Sequence, residues 1–270
     1  MDLGPFDLPG EPFLRLYATL LVLTVAAGLI IPRWLQPEGC EMRVRDPDRL
    51  AWLAGGPSRF ADAVVARLLS VGAISIGEKK TLGLDRRGTA RSPAKRGLLV
   101  LPSPATWKNV AHVMAQAARP IEREMVAAGL AMDEGTTWQM RFWQTAPYLM
   151  LLAFGTIKWE VGTLRDRPVG NLTGLLVLTA VFALARLLAV NRRTRAGDAA
   201  LAEARSRADR LRRAPTPGEV DLAVALFGTA VLAGSPWAAF HQLRSAHCGA
   251  SGGSDGSGCG GGGGCGGCGG

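Results

Sequence analysis

The chain has 270 residues, 48% of them hydrophobic and 20% charged, with a formal net charge of +9. The apolar residues gather in blocks near 13–31, 146–157, 171–190 and 222–240, with polar, Arg-rich stretches between them. That unevenness excludes one large water-soluble core and points to membrane helices separated by soluble segments. The basic excess sits in two places: residues 32–141 carry 17 Lys and Arg against 11 Asp and Glu, and residues 191–221 carry 8 against 5. Such clusters mark the cytoplasmic side of a membrane protein, so nucleic acid is not the expected partner. Of the five cysteines, Cys40 stands alone and four fall in the last 23 residues. They bracket no compact domain and make no disulfide framework.

Residues 1–12 are acidic and are expected outside the cell. Phe13 to Ile31 is an apolar run with Arg15 as its only charge. At about 1.5 Å per residue it spans roughly 28 Å, near the thickness of a bilayer core. Pro32 and Arg33 are expected to end this first membrane helix, with Trp34 at the interface. A cleaved signal peptide fits poorly, because the start is acidic and Ile-Pro-Arg-Trp follows the apolar core.

Residues 32–141 read as a cytoplasmic domain. Within 46–84, Asp46 suits an N-cap, Pro47 the first helical turn, and Gly55-Gly56 a helix stop. Pro57 and Ser58 open a second helix whose Phe60, Val64, Leu68 and Val71 make one apolar stripe. Gly72 ends it, and 73–76 with 81–84 form a small hairpin. Helix, turn, helix, hairpin is the order of a winged-helix module. Residues 85–97 form a basic loop. Ser103 and Pro104 open a helix to about Ala118, and Pro120 opens another that stops at Gly129. Arg67 to Ile74 and Arg123 to Leu130 share a form: charged start, apolar stripe, Gly stop. This is a weak internal duplication or a chance likeness of two helix ends.

The second membrane helix covers 142–157, flanked by Trp138, Trp143 and Trp159 at belt positions. A short loop leads to the third, 169–190, whose Arg186 is expected to snorkel toward the interface. Residues 191–221 are a basic cytoplasmic linker, helical or solvated. Residues 222–240 are either a fourth crossing or an interfacial or packed helix. The charges place the N-terminus outside and both 32–141 and 191–221 in the cytoplasm.

No nucleophile elbow, phosphate-binding loop or His-Glu-x-x-His appears, so no enzyme active site is expected. His112 lies alone on its helix. The chemistry gathers in the tail: residues 248–270 hold 14 Gly and 4 Cys. Glycine loses the most backbone entropy on ordering, and no apolar residue there offsets it, so a free tail is expected to be disordered. Its cysteines follow C-x10-C-x5-C-x2-C behind His247. Cys265 and Cys268 form the closest chelating pair, with Cys259, Cys248 and His247 as further ligands for zinc or copper. The same cysteines are candidate modification sites.

Pro5 to Tyr17 (PFDLPGEPFLRLY), Asp46 to Pro57 (DPDRLAWLAGGP), Arg167-Pro168-Val169-Gly170 and the Cys/Gly end together resemble an uncharacterised family of bacterial membrane proteins. That family has a PFDL-x-G-P-like start and a Cys/Gly-rich end. The resemblance spans essentially the whole chain and implies a multi-pass protein of the bacterial membrane. It also implies gene neighbourhoods shared with multinuclear non-heme iron oxidative enzymes that act on peptide cysteines. The expectation is therefore a mainly α, multi-pass helical membrane protein with a small winged-helix-like cytoplasmic domain. Its tail would serve a cysteine-modifying enzyme or hold a soft metal. The alternative is a membrane-tethered regulatory module whose winged-helix-like domain binds a protein or DNA.

Overall fold

A computed structural model describes residues 10–77, 81–84, 97–98, 101, 103–164, 170–189, 191–213 and 215–250, with backbone alone at 84 and 247–250. It is mainly α-helical: α1 Gly10–Leu35, α2 Pro47–Ser70, α3 Trp107–Ala127, α4 Glu134–Leu164, α5 Gly170–Leu188, α6 Arg195–Arg207, α7 Val220–Phe227 and α8 Ala238–Ala250. A two-stranded antiparallel hairpin, β1 Ile74–Ile76 and β2 Leu82–Leu84, follows α2. The chain divides into two compact units, Met1–Pro37 with Met132–Arg192, and Glu38–Ala131 with Arg193–Gly270.

The first unit is a bundle of α1, α4 and α5. Phe13, Tyr17 and Leu21 of α1 pack with Leu151 and Leu172, and the Phe13 and Phe154 rings stack at 5.5 Å. The helices approach closely at two glycines. A Cβ on Gly28 would meet the Tyr148 hydroxyl at 2.7 Å, and one on Gly155 would meet Tyr17 and Leu176 at 2.7 Å. Small residues at such crossings are the packing habit of helices in lipid. Polar groups turn inward. Thr179 donates to the Leu175 carbonyl at 2.7 Å, so the Tyr17 hydroxyl donates to Thr179 Oγ1 at 3.1 Å. Large apolar side chains turn outward: among the described residues, all the exposed ones except Met42 and Val71 lie on these three helices. By length and composition, α1 and α5 are apolar enough to cross a membrane.

Three sequence expectations change here. Helix α1 runs through Pro32 to Leu35. Proline lacks an N–H, so the Gly28 carbonyl one turn earlier loses its helical donor. The Arg186 guanidinium donates to that carbonyl, and Gln144 Nε2 donates to the Arg186 carbonyl at 2.6 Å. Arg186 is therefore turned into the bundle rather than toward the interface. Helix α4 spans 31 residues, not 142–157, because Glu134 to Arg141 continue the helix with polar residues that a hydropathy block does not register.

The second unit is a globule around α2. Asp46 caps it by accepting from the Asp48 N–H at 3.1 Å. Gly55 and Gly56 interrupt the helix, Gly56 at φ +65°, where a β-carbon is disfavoured. Phe60, Val64 and Leu68 are buried on the expected stripe. Val71 is exposed, because the helix has already ended at Ser70. The Ala73 N–H returns to the Leu68 carbonyl and the Leu130 N–H to that of Met125, both beside positive-φ glycines, Gly72 and Gly129. The two similar stretches thus share one helix-ending device. Pro120 sits inside a single helix α3 rather than starting a new one. Leu82 of β2 also pairs with Ala105, which ties the hairpin to the start of α3.

Residues 191–240 depart most from expectation. Thr194 caps α6 by accepting from the Gly197 N–H, and its hydroxyl donates to the Gly129 carbonyl at 2.7 Å. The Ala196 N–H donates to Glu38 at 2.8 Å. These bonds make 193–207 part of the second unit's fold rather than a linker. Residues 222–240 take the packed alternative, but not as one helix: α7 stops at Gly228, at φ +88°, and a short 3-10 turn, Thr229–Leu232, follows. Val224, Leu226, Leu232 and Phe240 are buried in the core with Leu53, Val65 and Val110. The apolar run is apolar because it fills a protein interior, and its glycine and proline breaks shape that filling.

Candidate functional site

The tail begins where α8 ends, so what holds α8 matters first. Phe240 and Leu243 are buried, and the Phe240 ring lies 5.9 Å from that of Trp107. One turn after Phe240, Arg244 enters the core. Its Nε donates to Asp62 Oδ1 at 2.5 Å, and Nη2 reaches Asp62 Oδ2 at 3.4 Å and Ser58 Oγ at 3.1 Å. The guanidinium lies 4.3 Å from the Trp107 ring centroid, a cation–π contact. Asp62 is 6% exposed and Arg244 9%. The pair is therefore shielded from water and screened little by salt.

A second cation sits nearby. Burial lowers the Arg59 guanidinium from its ordinary range, and the Arg244 charge lowers it further, while Asp62 opposes both. Burial pushes the Asp62 carboxyl up, and the charges and hydrogen bonds of Arg244, then the charge of Arg59, pull it back. Gly228, whose missing side chain leaves room for the Arg59 head, shapes this corner. Thr229 Oγ1 and His241 Nδ1, 3.2 Å apart, join α8 to the preceding 3-10 turn. The arrangement is one of attachment: a fork-shaped cation clamps the last helix onto α2 and α3.

The sequence-predicted site residues fall beyond this clamp. His247 and Cys248 lie in the last turn of α8 with side chains outside the described residues; Cys259, Cys265 and Cys268 lie outside them entirely. Among the described residues no group of three or more His, Cys, Asp or Glu is placed to hold a metal. Cys40 is a free, exposed thiol. His112 is exposed on α3, and the basic loop 86–96 lies outside the described residues. The Asp62–Arg244 pair spans 182 positions, and no local pattern joins them. One signal was readable: Asp62 is the only charge in the run Phe60 to Ala66, where an acid on a buried face calls for a distant partner.

No protein-family model matches the chain, and no curated protein or solved structure matches it either.

Proposed function

We propose that the chain is a multi-pass membrane protein that holds a Cys-rich C-terminal sequence at a fixed exit point for cysteine modification or soft-metal binding. The observation that carries this reading is the Arg244 clamp. It lies four residues before Cys248, so the tail leaves from a helix tied into the core. The membrane part is supported by the outward apolar and inward polar side chains of α1, α4 and α5. In this reading the N-terminus is outside, and the unit built around α2 is cytoplasmic together with 191–221. The family resemblance noted above supports the same assignment. Partners are then the bilayer and a cysteine-modifying enzyme, or zinc or copper.

Mass spectrometry and metal analysis of the protein from its native host test the tail directly. Bound metal, or a mass shift on cysteine, is the expected result; unmodified and metal-free cysteines would overturn it. If metal binds, Cys265→Ser and Cys268→Ser weaken binding more than Cys248→Ser, because the close pair forms the chelate. Affinity also falls as pH drops, because the thiolate is the ligand. Impermeant thiol labelling of a Ser92→Cys variant in intact cells tests orientation, with protection expected and strong labelling fatal to it.

A second reading, a membrane-tethered interaction module, draws on the order helix, Gly-Gly break, helix, hairpin over 47–84. It is favoured if protein truncated after His247, which lacks all four tail cysteines, keeps its cellular role.

A further inference from the structure

A cavity of about 520 Å³ opens in the second unit between residues 43–45, α6, the turn at 209–212 and α7. Four arginines line it, Arg43, Arg45, Arg207 and Arg210, against one carboxylate, Glu219. The rest of its wall is aliphatic: Val44, Leu50, Leu211, Leu222 and Leu226, with two alanines. Leu50, Leu211 and Leu226 are themselves buried, so the cavity floor is the outer face of the hydrophobic core.

The rim is ordered by its own pairings. Glu203, outside the lining, accepts from Arg207 and lies 3.6 Å from Arg43. Glu219 accepts from Arg210 and from the Thr216 hydroxyl, each at 2.5 Å. Arg45 is exposed and has no hydrogen bond or ion pair among the described residues. A positive rim over an apolar floor rejects a cation and leaves a purely apolar ligand facing charge. No aromatic ring lines the cavity among the described residues, so nothing offers a base a stacking surface. A volume of this size suits a small molecule, and guanidinium forks match phosphate or carboxylate oxygens in pairs.

We infer that this cavity binds an anionic amphiphile: an aliphatic body carrying one phosphate or carboxylate group, which the arginines grip while the chain lies on the leucines. The head group chemistry is shared by an anionic lipid of the bilayer and by a soluble alkyl phosphate. The cavity lies wholly in the second unit and uses no tail residue, so this inference stands or falls apart from the tail reading.

The test is calorimetry on the full chain in phosphatidylcholine nanodiscs, titrated with octyl phosphate. Saturable binding at one per chain is expected, at least about tenfold tighter than butyl phosphate, octanol or inorganic phosphate. Arg45→Gln combined with Arg210→Gln should weaken it by about tenfold or more, since charge-assisted bonds are lost. Arg123→Gln, an exposed position on α3 away from the cavity, should leave it unchanged. Equal affinity for octyl, butyl and inorganic phosphate would overturn the apolar half of the inference. Binding that survives the double variant, or that Arg123→Gln weakens equally, would overturn the site. With the site upheld, phosphatidic acid in the disc separates the sources: competition with octyl phosphate assigns a bilayer lipid, and its absence a soluble ligand.

Discussion

Trp107, Phe60 and Phe240 are buried in the second unit, and its surface is rich in arginine and glutamate. In the three-helix unit Trp34, Trp138 and Trp143 face outward, while Thr179, Gln144 and Tyr17 lie inside. In both, the buried polar side chains that link elements are paired: Asp62 with Arg244 in one, Tyr17 with Thr179 and Gln144 with the Arg186 carbonyl in the other. What differs is the solvent that each surface suits. A globule in water gains by hiding apolar area. In hydrocarbon that gain vanishes, and close packing with interhelical hydrogen bonds holds helices together instead. The bundle shows both, in its glycine crossings and in the Tyr17–Thr179 and Gln144–Arg186 bonds.

The largest effect is expected where the second unit breaks its own pattern by burying charge. Arg244→Ala leaves Asp62 buried with its main partner gone and should cost about 3–5 kcal/mol in denaturation of the full chain. The loss should depend on pH. Burial already outweighs Arg244 and holds the folded Asp62 carboxyl above its unfolded value; without Arg244 it rises further. A raised carboxyl contributes stability fully present below the unfolded value, near 4, and lost as pH rises through the folded one. The variant should thus be most stable in acid and weaken toward neutrality relative to wild type. A pH-independent loss would show that Asp62 stays solvated.

Next in size is a test of the two surfaces. Leu178 is 43% exposed on α5 and Val71 is 62% exposed after α2. Both look alike as exposed apolar residues. If α5 lies in lipid, Leu178→Arg should cost about 2.5–3.5 kcal/mol in a membrane-insertion assay. Val71→Arg, on a surface that meets water, should stay within about 0.5 kcal/mol in denaturation. Similar small effects at both positions would remove the distinction between the units.

The difference between the units also explains what the sequence discloses. Local chemistry was legible: Asp46 as a cap, Gly55-Gly56 as a break, and Gly72 and Gly129 as stops, since each acts within a few residues. So were α1 and α5, which are long and mostly apolar. The core segments after Val220 were hard to place, because apolar density alone does not tell a buried helix from a membrane one. Helix α4 was half hidden behind polar Glu134 to Arg141. The Asp62–Arg244 clamp and the arginine-rimmed cavity unite residues more than 150 positions apart, and only the fold brings them together.

A smaller effect probes the interior of the bundle. Pro32 deprives the Gly28 carbonyl of its helical donor, and Arg186 supplies one. Arg186→Leu should therefore cost about 1–3 kcal/mol, the range for an acceptor left unsatisfied. Pro32→Ala restores an N–H one turn from Gly28. In that background Arg186→Leu should cost less, with a coupling of about 0.5 kcal/mol or more in a double-mutant cycle. Additive costs would mean that the Arg186 contact is incidental to the proline.

The smallest effect belongs to the wet surface of the second unit, where no change in melting is expected at all. The Thr216 hydroxyl bonds Glu219 Oε2, and Arg210 bonds Oε1, so the Glu219 carboxyl lies below its ordinary value, chiefly through the Thr216 bond. A depressed carboxyl contributes stability that is present above the unfolded value and lost as pH falls through the folded one. For a group this open to solvent the contribution is screened almost entirely, so the readout is the titration itself. A carbon-detected NMR titration of Glu219 should show its midpoint rising toward the ordinary carboxylate range in Thr216→Val. In Arg210→Gln it should rise less, because the hydroxyl bond to the ionised form outweighs a charge bathed in water. The reverse ranking would mean that the arginine field, and not the local bond, sets this carboxylate. The rim of the cavity would then be governed by charge spread over all four arginines rather than by single pairings.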